Sequence, residues 1–197
     1  MEDNVYAPPA TDVVVPAPSG QGNEFYVVAP LKFCLLFFLT LGFYQLYWFY
    51  MHWARYRRRH PGQTVWPVAR AIFAVFFTHA LAQRIDAAVR ARGERHQWAP
   101  AATATIYVVA QLASSLAGRL ASREAGSPFT DLISLILLLP VGLSLLRLQR
   151  AANLACGDAD GAGNRRLTAA NYAWMIFGAL LWLATLAGLF LLYVVDA

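Results

Sequence analysis

Four arginines directly follow an aromatic run and are the side chains of this chain best suited to bind a ligand. They are Arg55, Arg57, Arg58 and Arg59. Guanidinium groups beside an apolar segment attract anionic lipid headgroups by about 1 kcal/mol per basic residue near a membrane surface. Basic residues next to a membrane span also hold a loop on the cytoplasmic side. The four arginines therefore indicate a lipid-headgroup site, a determinant of membrane topology, or both.

Residues that could carry a reaction are isolated along the chain. A membrane enzyme would use His79, Asp86 or Asp158, but none of them belongs to a nucleophile–base pattern, a phosphate-binding loop or a zinc-ligand spacing. The turn after Asp158 begins like a calcium loop. Its fifth and twelfth positions are Ala162 and Ala169, where a calcium loop needs oxygen ligands. We therefore expect no catalytic residue, no bound metal and no cofactor.

The composition is that of a membrane protein. Of the 197 residues, 58% are hydrophobic and 14% are charged, whereas a soluble domain carries about 25% charged residues. The net charge of +5 could suggest a nucleic-acid partner. The positive charges cluster beside apolar runs, however, where they set topology and meet anionic lipid. We therefore expect the lipid bilayer, and no nucleic acid, as a partner.

Four apolar segments predict four transmembrane helices, at about 33–53, 101–120, 129–146 and 172–195. A helix of about 20 residues crosses a hydrocarbon core of about 30 Å. Pro140 interrupts the third segment and should kink it, because proline removes one helical hydrogen bond. The predicted fold class is all-α, a polytopic α-helical membrane protein.

Residues 66–92 form a fifth helical segment that is unlike the other four. Arg70 and Arg84 bracket an apolar stretch that is too short to span comfortably. Beyond it, Gln83, Asp86 and Arg90 fall on one helical face. We therefore expect an interfacial or re-entrant helix that enters the cytoplasmic leaflet without crossing it.

The distribution of basic residues predicts the topology. The loop at 54–99 holds nine arginines and the loop at 147–171 holds four, whereas Lys32, Arg119 and Arg123 would lie outside. Basic loops stay in the cytoplasm. We therefore expect a bacterial inner-membrane protein with both termini in the periplasm. Residues 1–28 are proline-rich and acidic and predict a disordered tail, followed by one transmembrane domain at 29–197.

Two sets of residues predict helix packing. Small residues recur every four positions in the second span, at Ala110, Ser114 and Gly118, and such a stripe lets two helices approach closely. The first span ends in an aromatic run whose candidate packing residues are Tyr44, Tyr47 and Trp48. These aromatics form either an interfacial belt or a packing surface. The partner would be another helix of the chain, a membrane protein or a second copy.

The run Gly42-x-Tyr44-x-x-Tyr47-Trp48-Phe49-Tyr50-x-x-Trp53 resembles a "lYWFYxxW" signature of uncharacterised small bacterial inner-membrane proteins. Later segments are similar to further blocks of that family, namely Trp66-Pro67-Val68-x-Arg70, Arg150-Ala151-Ala152-Asn153 and Thr168-Ala169-Ala170-Asn171-Tyr172-x-Trp174. The resemblance covers about residues 25–195. It implies a polytopic α-helical membrane protein and no assigned reaction.

Two functions follow as hypotheses. The first is a non-enzymatic membrane protein that acts by helix packing with a membrane or envelope partner. The alternative is a small transporter, channel or lipid-handling protein that uses the kinked third span and the helix at 66–92. This alternative requires Gln45, His79, Gln111 and Ser144 to face one water-filled cavity.

Overall fold

The computed structural model of the protein describes residues 23–94, 96–126 and 129–191. Within those ranges the chain is helical and forms no strand. The helices are α1 Pro30–Leu39, α2 Tyr44–Arg59, α3 Pro67–Ile72, α4 Ala74–Ala91, α5 Pro100–Ala121, α6 Phe129–Ile136, α7 Leu138–Ala155 and α8 Ala169–Phe190. Most of the predicted disordered tail, residues 1–22, lies outside the described residues.

Three helical segments are long and apolar enough to cross a membrane, namely Pro100–Ala121, Phe129–Ala155 and Ala169–Phe190. They coincide with the second, third and fourth predicted spans, so the all-helical class is confirmed and the composition of these helices supports a membrane protein. The middle segment is interrupted at Leu137, between α6 and α7. The interruption lies one turn before Pro140, where proline cannot donate to the carbonyl four residues earlier.

The predicted first span at 33–53 is wrong as a single helix. Helix α1 ends at Leu39, and the chain reverses through Leu41 and Gly42, which have φ angles of 50° and 83°. Glycine adopts this left-handed conformation without steric cost. The reversal is closed by Gly42 N, which donates to the carbonyl of Phe37 at 2.8 Å, as at many helix ends. Hydropathy counts apolar residues and does not detect such a turn.

Helices α1 and α2 therefore form an antiparallel hairpin, which we call the aromatic hairpin (residues 24–60). Near its tip the rings of Phe33 and Tyr44 lie 6.0 Å apart. At its open end Glu24 Oε1 lies 2.7 Å from His60 Nε2. The first and last residues of the hairpin consequently lie together at one end of the domain.

Two glycines of other helices hold the tip of the aromatic hairpin. Gly142 of α7 lies against the rings of Phe37 and Phe38, and Gly178 of α8 lies against the backbone of Leu39. A side chain at either glycine would collide with these atoms. Trp182 Nε1 also donates to the carbonyl of Phe38 at 2.9 Å. The tip is thus wedged between α7 and α8.

The segment predicted as one helix at 66–92 is two helices, α3 and α4, separated at Phe73. Helix α4 packs on α5 and α7. His79 Nε2 lies 3.1 Å from Thr105 Oγ1, and Trp98 Nε1 donates to Asp86 Oδ1 at 3.0 Å. Helices α4 and α5 are therefore antiparallel. Neither α3 nor α4 is among the three segments suited to cross a membrane.

Candidate functional site

The segment from Phe25 to Ala29 lies outside the helices and is packed inside the chain, with each residue 0–6% exposed. Residues 25–28, which the sequence assigns to the tail, are therefore buried against the rest of the chain. In a segment outside the helices, the backbone N–H and C=O groups have no helical partners. Because these groups are buried, they need other hydrogen-bond partners. Those partners come from three amide side chains, Gln149, Asn153 and Asn164. Lys32 in turn donates to Asn164, and we call these four residues the amide clamp.

Asn153 and Gln149 lie one turn apart on α7 and are both 0% exposed. Asn153 Nδ2 donates to the carbonyl of Val28 at 3.0 Å, and Asn153 Oδ1 accepts from Val28 N at 3.3 Å. Gln149 Nε2 donates to the carbonyl of Tyr26 at 2.9 Å and to Asn153 Oδ1 at 2.7 Å. The two side chains therefore supply hydrogen-bond partners for the N–H and C=O of Val28 and the C=O of Tyr26.

Asn164, in the turn before α8, and Lys32, on α1, complete the amide clamp. Asn164 Nδ2 donates to the carbonyl of Val27 at 2.9 Å. Lys32 Nζ donates to Asn164 Oδ1 at 2.8 Å and to the carbonyl of Arg166 at 2.7 Å, and burial lowers the pKa of Lys32. Lys32 was expected on the opposite side from Arg166, and this expectation is wrong.

His52 is the ionisable side chain most deeply buried near the amide clamp, at 0% exposed. Its Nε2 lies 3.4 Å from Gln149 Oε1, which also accepts from Trp48 Nε1 at 2.6 Å. Its Nδ1 has no hydrogen-bond partner in the described part of the chain. Burial lowers the pKa of His52 far below its ordinary value. His52 is therefore neutral and serves as a packing residue against Trp48, 4.2 Å away between ring centroids.

The residues of the amide clamp and His52 were not predicted as site residues. Their one signal is the pair of amides spaced by four in an apolar, alanine-rich helix, at Gln149 and Asn153. Buried amides at that spacing share a face and need partners. The partners lie 123 and 125 residues away in sequence, so the spacing alone does not identify them.

The four candidate headgroup arginines divide into two kinds. Arg55 donates to the carbonyl of Phe25 at 3.4 Å, and its Cζ lies 5.1 Å from the centre of the Tyr26 ring. Arg57, Arg58 and Arg59 are exposed in the last turn of α2. Arg55 therefore belongs to the packing of the hairpin legs, and the other three are free to meet a headgroup. Their roles in lipid binding and topology stay predictions.

Two other arginines surround a buried indole. Arg70 Cζ lies 4.2 Å from the centre of the Trp53 ring, and Arg84 Cζ lies 5.9 Å from it. Arg84 also lies over the ring of Tyr56, donates to its hydroxyl, and donates to Gln63 Oε1 at 2.9 Å. We call these five residues the arginine–aromatic cluster. It joins α2, α3 and α4 at the arginine-rich end of the domain.

The predicted packing stripe of α5 is used only in part within the chain. Ala110 is 6% exposed, and Ser114 Oγ donates to the carbonyl of Ser134 in α6 at 3.2 Å. Gly118 is exposed, and a side chain there would meet no described atom within 4 Å. Ala110 and Ser114 thus pack inside the chain, whereas Gly118 does not.

The predicted aromatic packing residues also differ from one another. Tyr44 is 5% exposed with its hydroxyl 3.4 Å from that of Tyr26, and Trp48 is 0% exposed. Tyr47 is 45% exposed. Tyr44 and Trp48 therefore form the interior of the aromatic hairpin, and Tyr47 lies at its surface.

Polar side chains that a transport path would bring together have separate partners. Gln45 Oε1 accepts from the Tyr107 hydroxyl at 3.1 Å, His79 pairs with Thr105, and Ser144 Oγ donates to the carbonyl of Pro140 at 2.8 Å. These contacts do not assemble one polar cavity.

The isolated acids have local structural partners as well. Asp86 pairs with Arg90 at 2.7 Å, one helical turn away. Asp158 accepts from the backbone N–H groups of Ala162 and Gly163, each at 2.8 Å, and so closes the turn before α8. In the described ranges, no three His, Cys, Asp or Glu side chains are grouped as metal ligands.

Comparison with known proteins adds no family to this geometry. No family model, curated protein or solved structure matches the chain. The resemblance to small inner-membrane proteins therefore stays a prediction, and the function must be argued from the contacts themselves.

Proposed function

We propose that the protein is a non-enzymatic integral membrane protein with three crossing helices and one hairpin that enters and leaves the bilayer on the same side. The resemblance of its aromatic signature supports a bacterial inner membrane. The observation that carries this proposal is the reversal at Gly42, together with the contact between Glu24 and His60 at the open end. A chain that crossed the membrane at this point would place these two residues on opposite faces.

The depth of the aromatic hairpin follows from its neighbours. Helix α1 has 10 residues, which is about 15 Å of helix and about half of the hydrocarbon thickness. Its tip contacts Gly142, near the middle of the 27-residue segment Phe129–Ala155, and Gly178, near the middle of the 22-residue helix α8. The hairpin therefore ends near the bilayer centre.

The orientation follows from charge. Among the described Lys and Arg residues, only Arg119 and Arg123 lie at the end where α5 meets α6. The positive-inside trend places the opposite, arginine-rich end in the cytoplasm. The segment at Glu24 is then cytoplasmic and the end of α8 is periplasmic. This revises the expectation that both termini are periplasmic.

The mode of action that we propose is lateral packing through α8. This helix buries 6% of its apolar stretch inside the chain, against 28% for α5, and among the described helices it packs on α1. Its exposed side chains include Leu180 and Leu183, which are 60% and 63% exposed. A helix held mainly at one point leaves most of its length available to a membrane partner or a second copy.

Photo-crosslinking in intact membranes tests this packing. A benzophenone amino acid at Leu180 or Leu183 should give a discrete protein adduct that mass spectrometry assigns to a second copy or a membrane protein. The matched control is Leu116 of α5, which is 60% exposed and should give none. Lipid adducts alone from α8, or equal adducts from Leu116, would contradict the proposed role of α8.

A second candidate, lipid handling, rests on a groove between α6 and α8. The groove has a volume of about 270 Å³ and is lined in part by Ser134, Thr185 and Gly188. Gly188→Leu would fill it. If the groove moves lipid, proteoliposomes should scramble a labelled phospholipid faster than protein-free vesicles, and Gly188→Leu should abolish the difference. Equal rates with and without protein would exclude this candidate.

A further inference from the structure

Two positive charges of the arginine–aromatic cluster lie against one ring, and Glu24, which lines the same pocket as Arg84, is paired with His60. The guanidiniums of Arg70 and Arg84 both approach the ring of Trp53. Neither has a carboxylate within ion-pair distance in the described part of the chain. Like charges held this close repel each other. An anion between the two guanidiniums would offset this repulsion.

Hydrogen-bond donors are also unused at the same place. A guanidinium has five N–H donors, and Arg70 donates to no side chain or carbonyl of the described residues. The indole N–H of Trp53, which is 0% exposed, has no acceptor among them either. A phosphate supplies both missing features, since its oxygens carry negative charge and accept paired bonds from arginine.

The surface beside Arg70 is apolar and exposed. Ile72, Phe73 and Phe76 are 63%, 56% and 78% exposed on α3 and α4, and Trp66 is 74% exposed at the start of α3. A free anion needs no such surface, but a phospholipid needs one for its acyl chains. The neighbouring charge and apolar surface therefore favour a lipid over a soluble phosphate.

We infer that Arg70 and Arg84 bind the phosphate of an anionic phospholipid beside Trp53, with its acyl chains along the exposed face of α3 and α4. This site is distinct from the exposed arginines at the end of α2. The inference rests on the proposed function and on the expectation that residues 66–92 enter the cytoplasmic leaflet without crossing it.

Native mass spectrometry of the full chain in detergent tests the site, with phosphatidylglycerol and phosphatidylcholine as probes. The double variant Arg70→Gln/Arg84→Gln should bind phosphatidylglycerol about 30-fold more weakly, which converts from about 1 kcal/mol for each of two basic residues. Arg57→Gln/Arg58→Gln removes the same charge from exposed positions and should change the affinity much less. Phosphatidylcholine should bind all three proteins alike.

The single variant Arg70→Gln separates a binding defect from a folding defect, because the Arg70 side chain makes no hydrogen bond inside the described chain. Its melting temperature in phosphatidylcholine should fall only slightly, because the variant loses the contacts with Trp53 and Phe77 but no hydrogen bond. Its phosphatidylglycerol affinity should fall about fivefold. Arg70→Lys keeps the charge but loses the planar guanidinium. Its affinity for phosphatidylglycerol should lie between those of the parent and Arg70→Gln.

Three results would overturn the inference. These are an equal loss in the Arg57/Arg58 control, no preference for phosphatidylglycerol in the parent, and displacement of that lipid by equimolar inorganic phosphate. The last result would mean a soluble-anion site. Side-specific cysteine labelling tests the membrane placement separately, so a failed topology and a failed lipid site are distinguishable.

Discussion

Replacing Asn153 should destabilise the folded chain more than any comparable change at an exposed amide. Asn153→Leu keeps the approximate size of the side chain and removes its polar atoms. The N–H and C=O of Val28 then lose the partners that they have in the amide clamp, and Gln149 loses one acceptor. These groups are buried, so water cannot replace the lost bonds.

The magnitude follows from the number of groups left without partners. Each buried polar group without a partner costs about 1–3 kcal/mol. Loss of the partners of two backbone groups therefore lowers the free energy of unfolding by about 2–6 kcal/mol. This is a large fraction of the roughly 5–15 kcal/mol that stabilises a typical folded protein.

The assay is reversible unfolding of the purified chain in detergent, followed by tryptophan fluorescence. Asn171→Leu is the matched control, because it is the same substitution in a half-exposed capping box with Thr168, which contributes about 0.5–2 kcal/mol. If Asn171→Leu lowered the free energy of unfolding as much as Asn153→Leu, the proposed role of the amide clamp would be refuted.

Further predictions concern the hairpin tip, the α5 surface and pH. Gly178→Ile should lower the melting temperature strongly, because its side chain would collide with the Leu39 backbone. Gly118→Ile should change the melting temperature little, because the space there is open. Equal melting temperatures of the two variants would contradict this packing. Burial lowers the pKa of His52, so the unfolded state binds more protons and the free energy of unfolding falls as the pH drops below about 6.5. Between pH 7.5 and 5 this fall should be smaller in His52→Gln than in the parent, and identical pH profiles would show that His52 is not buried in its neutral form.

The three helical segments that are long and apolar enough to cross a membrane could be predicted because length and composition define them. Helix α8, for example, is apolar along its whole length and needs no contact to be recognised. The break in the first apolar run could not be predicted by the same rule. Thr40, Leu41 and Gly42 do not lower the mean hydropathy of the run enough to divide it, yet Leu41 and Gly42 adopt the left-handed conformation that reverses the chain.

The two candidate sites depend on contacts between distant parts of the sequence. Phe25 to Val28 lack periodicity and look like part of the tail, but amides on α7 satisfy their backbone. Arg70 and Arg84 were recognised only as charges at the ends of an apolar stretch. Their shared approach to Trp53 depends on how α2, α3 and α4 pack, which local sequence does not determine.

Side-specific labelling of single cysteines tests the same-side hairpin most directly. Asn23, Gly62 and Ser122 are exposed and would each be changed to Cys in a Cys34→Ala/Cys156→Ala background. An impermeant thiol reagent should label Asn23→Cys and Gly62→Cys from one face of the membrane and Ser122→Cys from the other. If Asn23→Cys reacted from the same face as Ser122→Cys, residues 33–53 would cross the membrane and the hairpin account would be wrong.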